Sequence, residues 1–254
     1  MREDVPSRPP RVLVPELAEH RGSSEEIFLR KEERDHARSR RLRDGDEVVV
    51  LDGKGLRARG KLTRSGTAVA LFTFEEKSLS SSSPSSSSLP PGEPTTHVTV
   101  ALACAEPARV EWAIEKGTEC GAAGFVLLDA ERSQRSHVAV LSKRIPRLIR
   151  IAEEATKQCD RTIVPFVEGP KSTEEFLRGL RGETLIVADP QGAPIASFRP
   201  GTPATLAIGP EGGFAPAEIS LFAEKSPVFL SLGARILRLE TAVVVALARL
   251  VDLA

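Results

Sequence analysis

Tyrosine is absent from this chain, and tryptophan (Trp112) and methionine occur once each. Proteins that hold single-stranded nucleic acid by stacking its bases need several exposed aromatic platforms, so that class is disfavoured. Cysteine is scarce as well: Cys104, Cys120 and Cys159 lie far apart, form no CxxC pair, and read as free thiols buried in a protein of a reducing cytoplasm. His20, His36, His97 and His137 are equally scattered, so no metal site is expected. Neither sign of charge is in excess, since Lys plus Arg and Asp plus Glu both number 35, and this removes a global field for a polyanionic partner. Long hydrophobic runs are missing too. The most apolar stretch, 241–254, is too short to span a bilayer and carries Arg249 and Asp252, while the N-terminus MREDVPSRPP lacks the apolar core of a secretory signal. The expectation is a cytoplasmic protein with no membrane partner.

What is present divides into three parts. Residues 1–77 read as a small β-barrel, with strands at 11–14, 26–29, 47–51, 56–62 and 68–74 and turn signals at Asp44-Gly45-Asp46, Asp52-Gly53-Lys54-Gly55 and Ser65-Gly66. Between its second and third strands, 31–41 forms a polar helical pattern within the most basic stretch of the chain: Arg30 to Arg43 holds seven cationic side chains against three acidic ones. Residues 78–96 (SLSSSSPSSSSLPPGEPTT) offer too little apolar surface to offset the entropy of ordering them, and read as a linker. Residues 97–254 alternate strand and helix in the manner of an α/β parallel sheet. Strands are expected at 98–104, 124–128, 162–166 and 184–188, and in two further runs starting at Thr205 and Val228. Helices are expected at 107–120, where Gly121 closes the helix and Trp112 faces the core, at 143–158 and at 173–179. Another opens at Pro216, and a final one at 241–253, apolar on nearly every face, serves a core or a subunit interface.

Two stretches carry the chemistry. TLAIGPEGGF (205–214) and VFLSLGARILRLET (228–241) are apolar runs that end in glycine, as buried parallel strands do where they enter sharp loops. Ligands of open α/β sheets sit outside the carboxyl ends of neighbouring strands, so the two loops together form one pocket. Neither GxxxxGK(S/T) nor a GxGxxG opening the first helix is present, which excludes a P-loop nucleotidase and an ordinary dinucleotide site. Instead, the glycines of Gly209-Pro210-Glu211-Gly212-Gly213 permit positive φ and close approach of backbone amides to a ligand. In the second loop Gly233 allows a turn, Ile236 and Leu237 can flank a flat apolar ring, and Thr241 is placed to cap the last helix. Arg235 and Arg238 there are available to an anion or an acidic partner. Glu211 has three open roles: base, ligand-orienting group, or acceptor for a backbone amide. Glu131-Arg132-Ser133 follows a strand and faces the same rim, where Arg132 either grips a phosphate or forms a surface ion pair.

These residues resemble those of the ribosomal RNA small subunit methyltransferase E family, the SPOUT-class enzymes that methylate N3 of a uracil in 16S rRNA. The resemblance is carried by IGPEGGF (208–214), LGARILRLETA (232–242), VEWAIEKGTECGA (110–122), ERS (131–133) and the EAxxQCDR run ending in Arg161 with Pro165 beyond it. HARSRRLRDGD and LDGKG in the small module are similar to the PUA-like RNA-binding domain of that family. The resemblance implies a C-terminal trefoil knot, an exception to the rule against threaded chains. It also implies S-adenosylmethionine in that knot and a homodimer. Carried over, the cofactor residues are Ala188, Asp189, Ile208, Gly209, Pro210, Glu211, Gly212, Gly213, Leu232, Gly233, Ile236, Leu237, Arg238 and Thr241, with Glu211 and Arg238 the candidates for a catalytic contribution. RNA contacts fall to Arg11, Arg30, Arg34, Arg38, Arg41 and Arg132, with rRNA of the small ribosomal subunit as partner.

The chain departs from the family pattern in places. Glu106-Pro107 replaces a lysine-glycine pair, Lys157 stands where glutamate is usual, and Leu239 where threonine is usual. The long Ser/Pro segment is also atypical. The alternatives that stay open are a different SPOUT methyltransferase, acting on a ribose 2′-OH or another base, and an RNA-binding assembly factor without turnover.

Overall fold

The computed structural model describes residues 8–21, 26–75, 90, 92–201 and 203–252. The chain forms two compact units, Met1–Glu93 with Lys157–Ile163, and Pro94–Thr156 with Val164–Ala254. Much of the expected linker, 78–89 and residue 91, lies outside the described residues.

The first unit contains β1 (Arg11–Leu13), β2 (Ile27–Phe28), α1 (Lys31–Ser39), β3 (Glu47–Leu51), β4 (Arg57–Thr63) and β5 (Ala68–Glu75). Its sheet has the order β1-β3-β4-β5-β2, antiparallel except for the β1–β3 pair. The period-two pattern of a half-buried strand is clear in β4, where Ala58, Gly60 and Leu62 turn inward while Arg59 and Lys61 face out. Val12, Leu17, Val48, Val50 and Val69 complete the core with them. The Asp52 turn has a direct cause: Asp52 Oδ1 accepts from Lys54 N at 2.7 Å and Leu56 N at 2.9 Å. α1 places Ala37 and Glu33 inward and its cations outward.

Residues 157–163 give this unit its buried ion pairs. Lys157 Nζ lies 2.7 Å from Glu33 Oε1, with side chains only 4% and 7% exposed. Glu93, at the end of the expected linker, accepts from Arg161 Nη2 (2.7 Å) and from the backbone amides of Thr162 (2.7 Å) and Ile163 (2.8 Å). Asp160 receives Arg11 at 2.7 Å and Arg57 at 3.4 Å. Lysine at 157 therefore answers Glu33, which is buried and needs a cation beside it. The strand expected at 162–166 is not formed. Ile163 makes a single bridge to Lys54, and the next strand starts at Phe166.

The second unit runs β6 (Val98–Ala103), α2 (Pro107–Glu119), β7 (Gly124–Asp129), α3 (Arg135–Cys159, whose last residues belong to the first unit), β8 (Phe166–Ser172) and α4 (Thr173–Gly179). It continues through β9 (Thr184–Pro194), β10 (Ala204–Ile208), α5 (Pro216–Ala223), β11 (Val228–Ser231) and α6 (Leu239–Leu250). The sheet order is β11-β9-β10-β6-β7-β8, parallel in every pair, as the sequence leads one to expect. Both faces are covered, which is why β10 is buried along its whole length. Val98, Val100, Leu102, Phe125 and Leu206 pack on one face with α2, α3 and α6. Ala101, Ala103, Val126, Val187 and Ala207 pack on the other with α4 and α5.

Pro107 opens α2, and Gly121 at φ 88° follows its end, so the helix stops where a left-handed residue is needed. Glu111 on α2 is held by Arg147 of α3 at 2.7 and 2.9 Å, and this pairing draws its carboxyl below the usual range. Three expectations need correction. α3 starts eight residues earlier than its periodicity predicts, at Arg135 rather than at 143. Trp112 is 43% exposed, because the buried stripe of α2 runs through Val110, Ala113, Ile114 and Gly117 and passes it by. Thr241 does not cap α6, which starts at Leu239, so that Thr241 lies inside the first turn behind an Arg238 N-cap that makes no side-chain bond. Among the described residues no helix is long and apolar enough to cross a membrane.

Candidate active site

A break in the β9–β11 ladder creates the site. Val228 and Phe229 pair with Ile186 and Val187, but the next two residues, Leu230 and Ser231, pair with Ala193 and Pro194. The register jump leaves 188–192 as a bulge within β9, without partners on β11. Gly192 makes this possible, since a Cβ there would lie 2.6 Å from the Leu230 backbone nitrogen. The bulge is held by Asp189 Oδ1, which accepts from Gln191 N at 2.7 Å. Ala188, Asp189, Pro190 and Gln191 thus line a cavity of ≈ 460 Å³ beside the bulge of β9 and at the carboxyl ends of β10 and β11.

The second wall is the 209–213 loop after β10. Gly213 N donates to Pro210 O at 2.7 Å, closing a β-turn with Glu211 and Gly212 at its corners. Gly209 is favoured by close approach, for a Cβ would meet Phe214 N at 3.1 Å and crowd the loop backbone. Gly213 is required by its φ of 70°. Phe214 anchors the loop by packing edge-on against Phe222 of α5, with ring centroids 4.7 Å apart. The third wall is 232–237, which turns at Gly233 (φ 123°) and exposes 93% of Ile236 at the rim.

Fixed carboxylates and guanidinia set the loop positions. Glu218, 5% exposed, accepts from Ala215 N (2.9 Å), Glu131 N (3.1 Å) and Thr173 Oγ1 (2.6 Å), joining the start of α5, the loop after β7 and the start of α4. Arg132 Nη1 donates to Gly212 O, so its head group braces the turn from the 131–133 rim. Glu211 Oε1 accepts from Arg109 Nη1 at 2.7 Å, and Arg109 Nε lies 3.3 Å from Glu106. Cys104, just past the end of β6, is buried, and burial first, then the Asp129 charge, pushes its thiol up to about 12.

The cavity gathers Ala188, Asp189, Ile208, Gly209, Pro210, Glu211, Gly212 and Gly213 with Leu232, Gly233, Ile236 and Leu237. Arg238 and Thr241 belong to the start of α6 and are not part of its lining. Sequence reasoning missed Pro190, Gln191, Phe214, Leu239 and Ala242 in the wall, and Arg109 and Glu218 behind it. Glu218 had a signal, an acidic residue three positions after the N-cap. Among the described residues no group of three or more His, Cys, Asp or Glu is placed to hold a metal ion.

The basic stretch lies in the first unit. Arg34, Arg40, Arg41 and Arg43 are exposed and have no ion-pair partner among the described residues. Arg30 lies 3.4 Å from Glu16 and Arg38 3.5 Å from Asp35, both exposed pairs of small energetic weight. Arg11 differs: its side chain is 11% exposed and engaged by Asp160, which makes it part of the unit's internal packing.

Comparison with known proteins matches residues 92–251 to an RNA methyltransferase domain and residues 29–69 to an RNA methyltransferase PUA domain. The chain is 30% identical over 224 residues to the ribosomal RNA small subunit methyltransferase E of Bacillus subtilis, covering 82% of each protein. It is 34% identical over 220 residues to that of Synechocystis, covering 83% of this chain and 67% of the relative. A crystal structure of the Neisseria gonorrhoeae enzyme of that name, bound to S-adenosylmethionine, shares the fold with a TM-score of 0.82 at 23% identity, over 97% of this chain and 100% of that one.

Proposed function

Because the chain belongs to the ribosomal RNA small subunit methyltransferase E family, we propose that it transfers a methyl group from S-adenosylmethionine to N3 of one uridine in 16S rRNA. The observation that carries the reading is the cavity itself, in which two glycine turns at the carboxyl ends of β10 and β11 converge with the 188–192 bulge of the parallel neighbour β9. Its ≈ 460 Å³ lies within the usual range of small-molecule sites, about 300–1,000 Å³. Ile208, Leu232 and Leu237 give it apolar walls for a flat base, and the glycine turns give backbone groups for polar recognition. Asp189 and Gln191 suit ribose hydroxyls. Bound there, S-adenosylmethionine supplies an electrophilic sulfonium methyl. The chain's own residues align the uracil, remove or polarise its N3 proton and exclude water. Glu211 at the turn corner and Arg238 at the start of α6 are the groups assigned to that work.

The remaining assignments follow the same reading. Residues 1–77, completed by 157–163, act as a PUA-like RNA-binding domain, the serine-rich part of 78–96 as a tether, and the remainder of 97–254 as a SPOUT domain with a C-terminal knot. Arg30, Arg34, Arg38 and Arg41 of the first unit hold rRNA phosphates, and Arg132 at the cavity rim of the second unit makes an RNA contact of its own. The protein works as a cytoplasmic homodimer on the small ribosomal subunit and uses no metal. Mass spectrometry of small-subunit rRNA from cells lacking the protein, after treatment with the protein and S-adenosylmethionine, tests the reaction. One new 3-methyluridine is expected. A methyl group at another atom would reassign the substrate, and no transfer to naked rRNA or assembled subunits would favour a non-catalytic assembly factor.

A further inference from the structure

Glu211 spends one carboxylate oxygen on Arg109; its other oxygen, Oε2, has no partner among the described residues. Arg109 sits in the first turn of α2, the helix that follows the central strand β6, with a side chain 28% exposed. Glu106 lies 3.3 Å from its Nε and Glu211 2.7 Å from its Nη1. The guanidinium is thus steered from two sides while Nη2 keeps its donors free among the described residues. A partly exposed ion pair of this kind stabilises a fold by about 0–1 kcal/mol, so holding the turn is a small return for a cation fixed directly beside Glu211 of the cavity wall.

A free carboxylate oxygen beside a free guanidinium nitrogen forms an acceptor–donor pair. The N3 edge of uracil presents the complement, a donor (N3–H) flanked by the acceptors O2 and O4. Resting on the uracil-N3 reading above, we propose that Arg109 and Glu211 together bind this edge, Glu211 taking the N3 proton and Arg109 holding the negative charge that remains. The proton passes from N3 to Glu211 Oε2, and its electron pair stays on the ring, spread over N3, O2 and O4. Arg109 Nη2 donates to the nearer of these oxygens. The N3 pair then forms the bond to the methyl carbon as the carbon–sulfur bond breaks, its electrons passing to sulfur, which becomes a neutral thioether. Glu211 afterwards releases the proton to water. Arginine suits the task because it stays charged at every working pH and presents several donors in one plane.

The test measures methyl transfer to small-subunit rRNA by wild type, R109A, R109K and E211Q as a function of pH, with S-adenosylmethionine affinity followed by calorimetry. Loss of a fixed donor to a developing anion lowers kcat by about 10²–10³-fold, and R109A is expected in that range at neutral pH. The deficit should shrink as pH rises, with added guanidinium ion, and with RNA carrying 5-fluorouridine, whose N3 is more acidic. R109K should recover part of the rate, and cofactor affinity should stay unchanged. A deficit equal at all pH values and in both RNAs, or a matching loss of cofactor affinity, would reduce Arg109 to a prop for the turn and overturn the proposal. An R109A protein as active as wild type, in an assay where wild type makes 3-methyluridine, refutes the arginine role alone. Absence of 3-methyluridine with wild type refutes the uracil reading and this proposal with it.

Discussion

Replacing Glu218 by alanine should be the most damaging single change near the cavity that touches no ligand. Its carboxylate receives two backbone amides and one hydroxyl, at 2.9, 3.1 and 2.6 Å. Hydrogen bonds to a charged group contribute about 1.5–3 kcal/mol each, a gross figure reduced by the cost of keeping a carboxylate 5% exposed. Water entering the vacated space recovers part of what remains. A net loss of about 3–5 kcal/mol, in line with other broken buried networks, corresponds to a fall in Tm of about 6–20 °C for a unit of this size. Glutamine should cost about 1–3 kcal/mol, because its amide nitrogen must face one of the donors. Thermal unfolding of wild type, E218A and E218Q, each with and without S-adenosylmethionine, measures both effects. Cofactor affinity should fall with stability, since the same carboxylate places the end of the 209–213 loop. An E218A protein within 1 °C of wild type would refute the network account.

Other outcomes follow from geometry already described. Gly212→Val should abolish cofactor binding in calorimetry and leave the Tm nearly unchanged, because a Cβ there meets only Arg132 Cδ at 3.5 Å; wild-type affinity would move the site elsewhere. The double variant R38E/R41E should weaken RNA binding and lower its logarithmic salt slope by about 2, one unit for each phosphate contact removed, without altering cofactor affinity. The folded state keeps the Cys104 proton to about 12, whereas the unfolded thiol loses it near 9.0. Its contribution to stability is therefore complete below the lower value and is lost as pH rises toward the upper one. Correspondingly, Cys104 should resist aromatic disulfide reagents at mildly alkaline pH until the protein unfolds, and rapid labelling of the native protein would contradict its burial.

The legible parts of the structure were those written in local pattern. Apolar runs ending in glycine located β10, β11 and the two loops, and Pro107, Gly121 and Pro216 marked helix ends through their own backbone restrictions. The 188–192 segment was less legible, since strand pattern ended at Ala188 while the ladder resumed only at Ala193, a consequence of which residues β11 meets. Arg109 and Glu218 were hidden for a related reason. Arg109 looks like an ordinary helix-surface charge in sequence and Glu218 like no more than a local helix-start residue, and they acquire their places through partners 102 and as many as 87 positions away. Trp112 and Thr241 were misplaced because helical spacing gives a phase only when the start of the helix is known to the residue.

The membership of 157–163 in the first unit bears on how this protein can be divided. A fragment ending at residue 93 would retain Glu33, Glu93 and Arg11 but lose Lys157, Arg161 and Asp160, leaving three inward-facing charges without their counterions. Such a fragment should be soluble only as a loosened chain, however well the cut is chosen within the serine-rich segment. The complementary piece, 94–254, would carry seven residues shaped for a host it no longer has. For the same reason a graft of the first unit between relatives should fold only when it brings its own version of 157–163 with it.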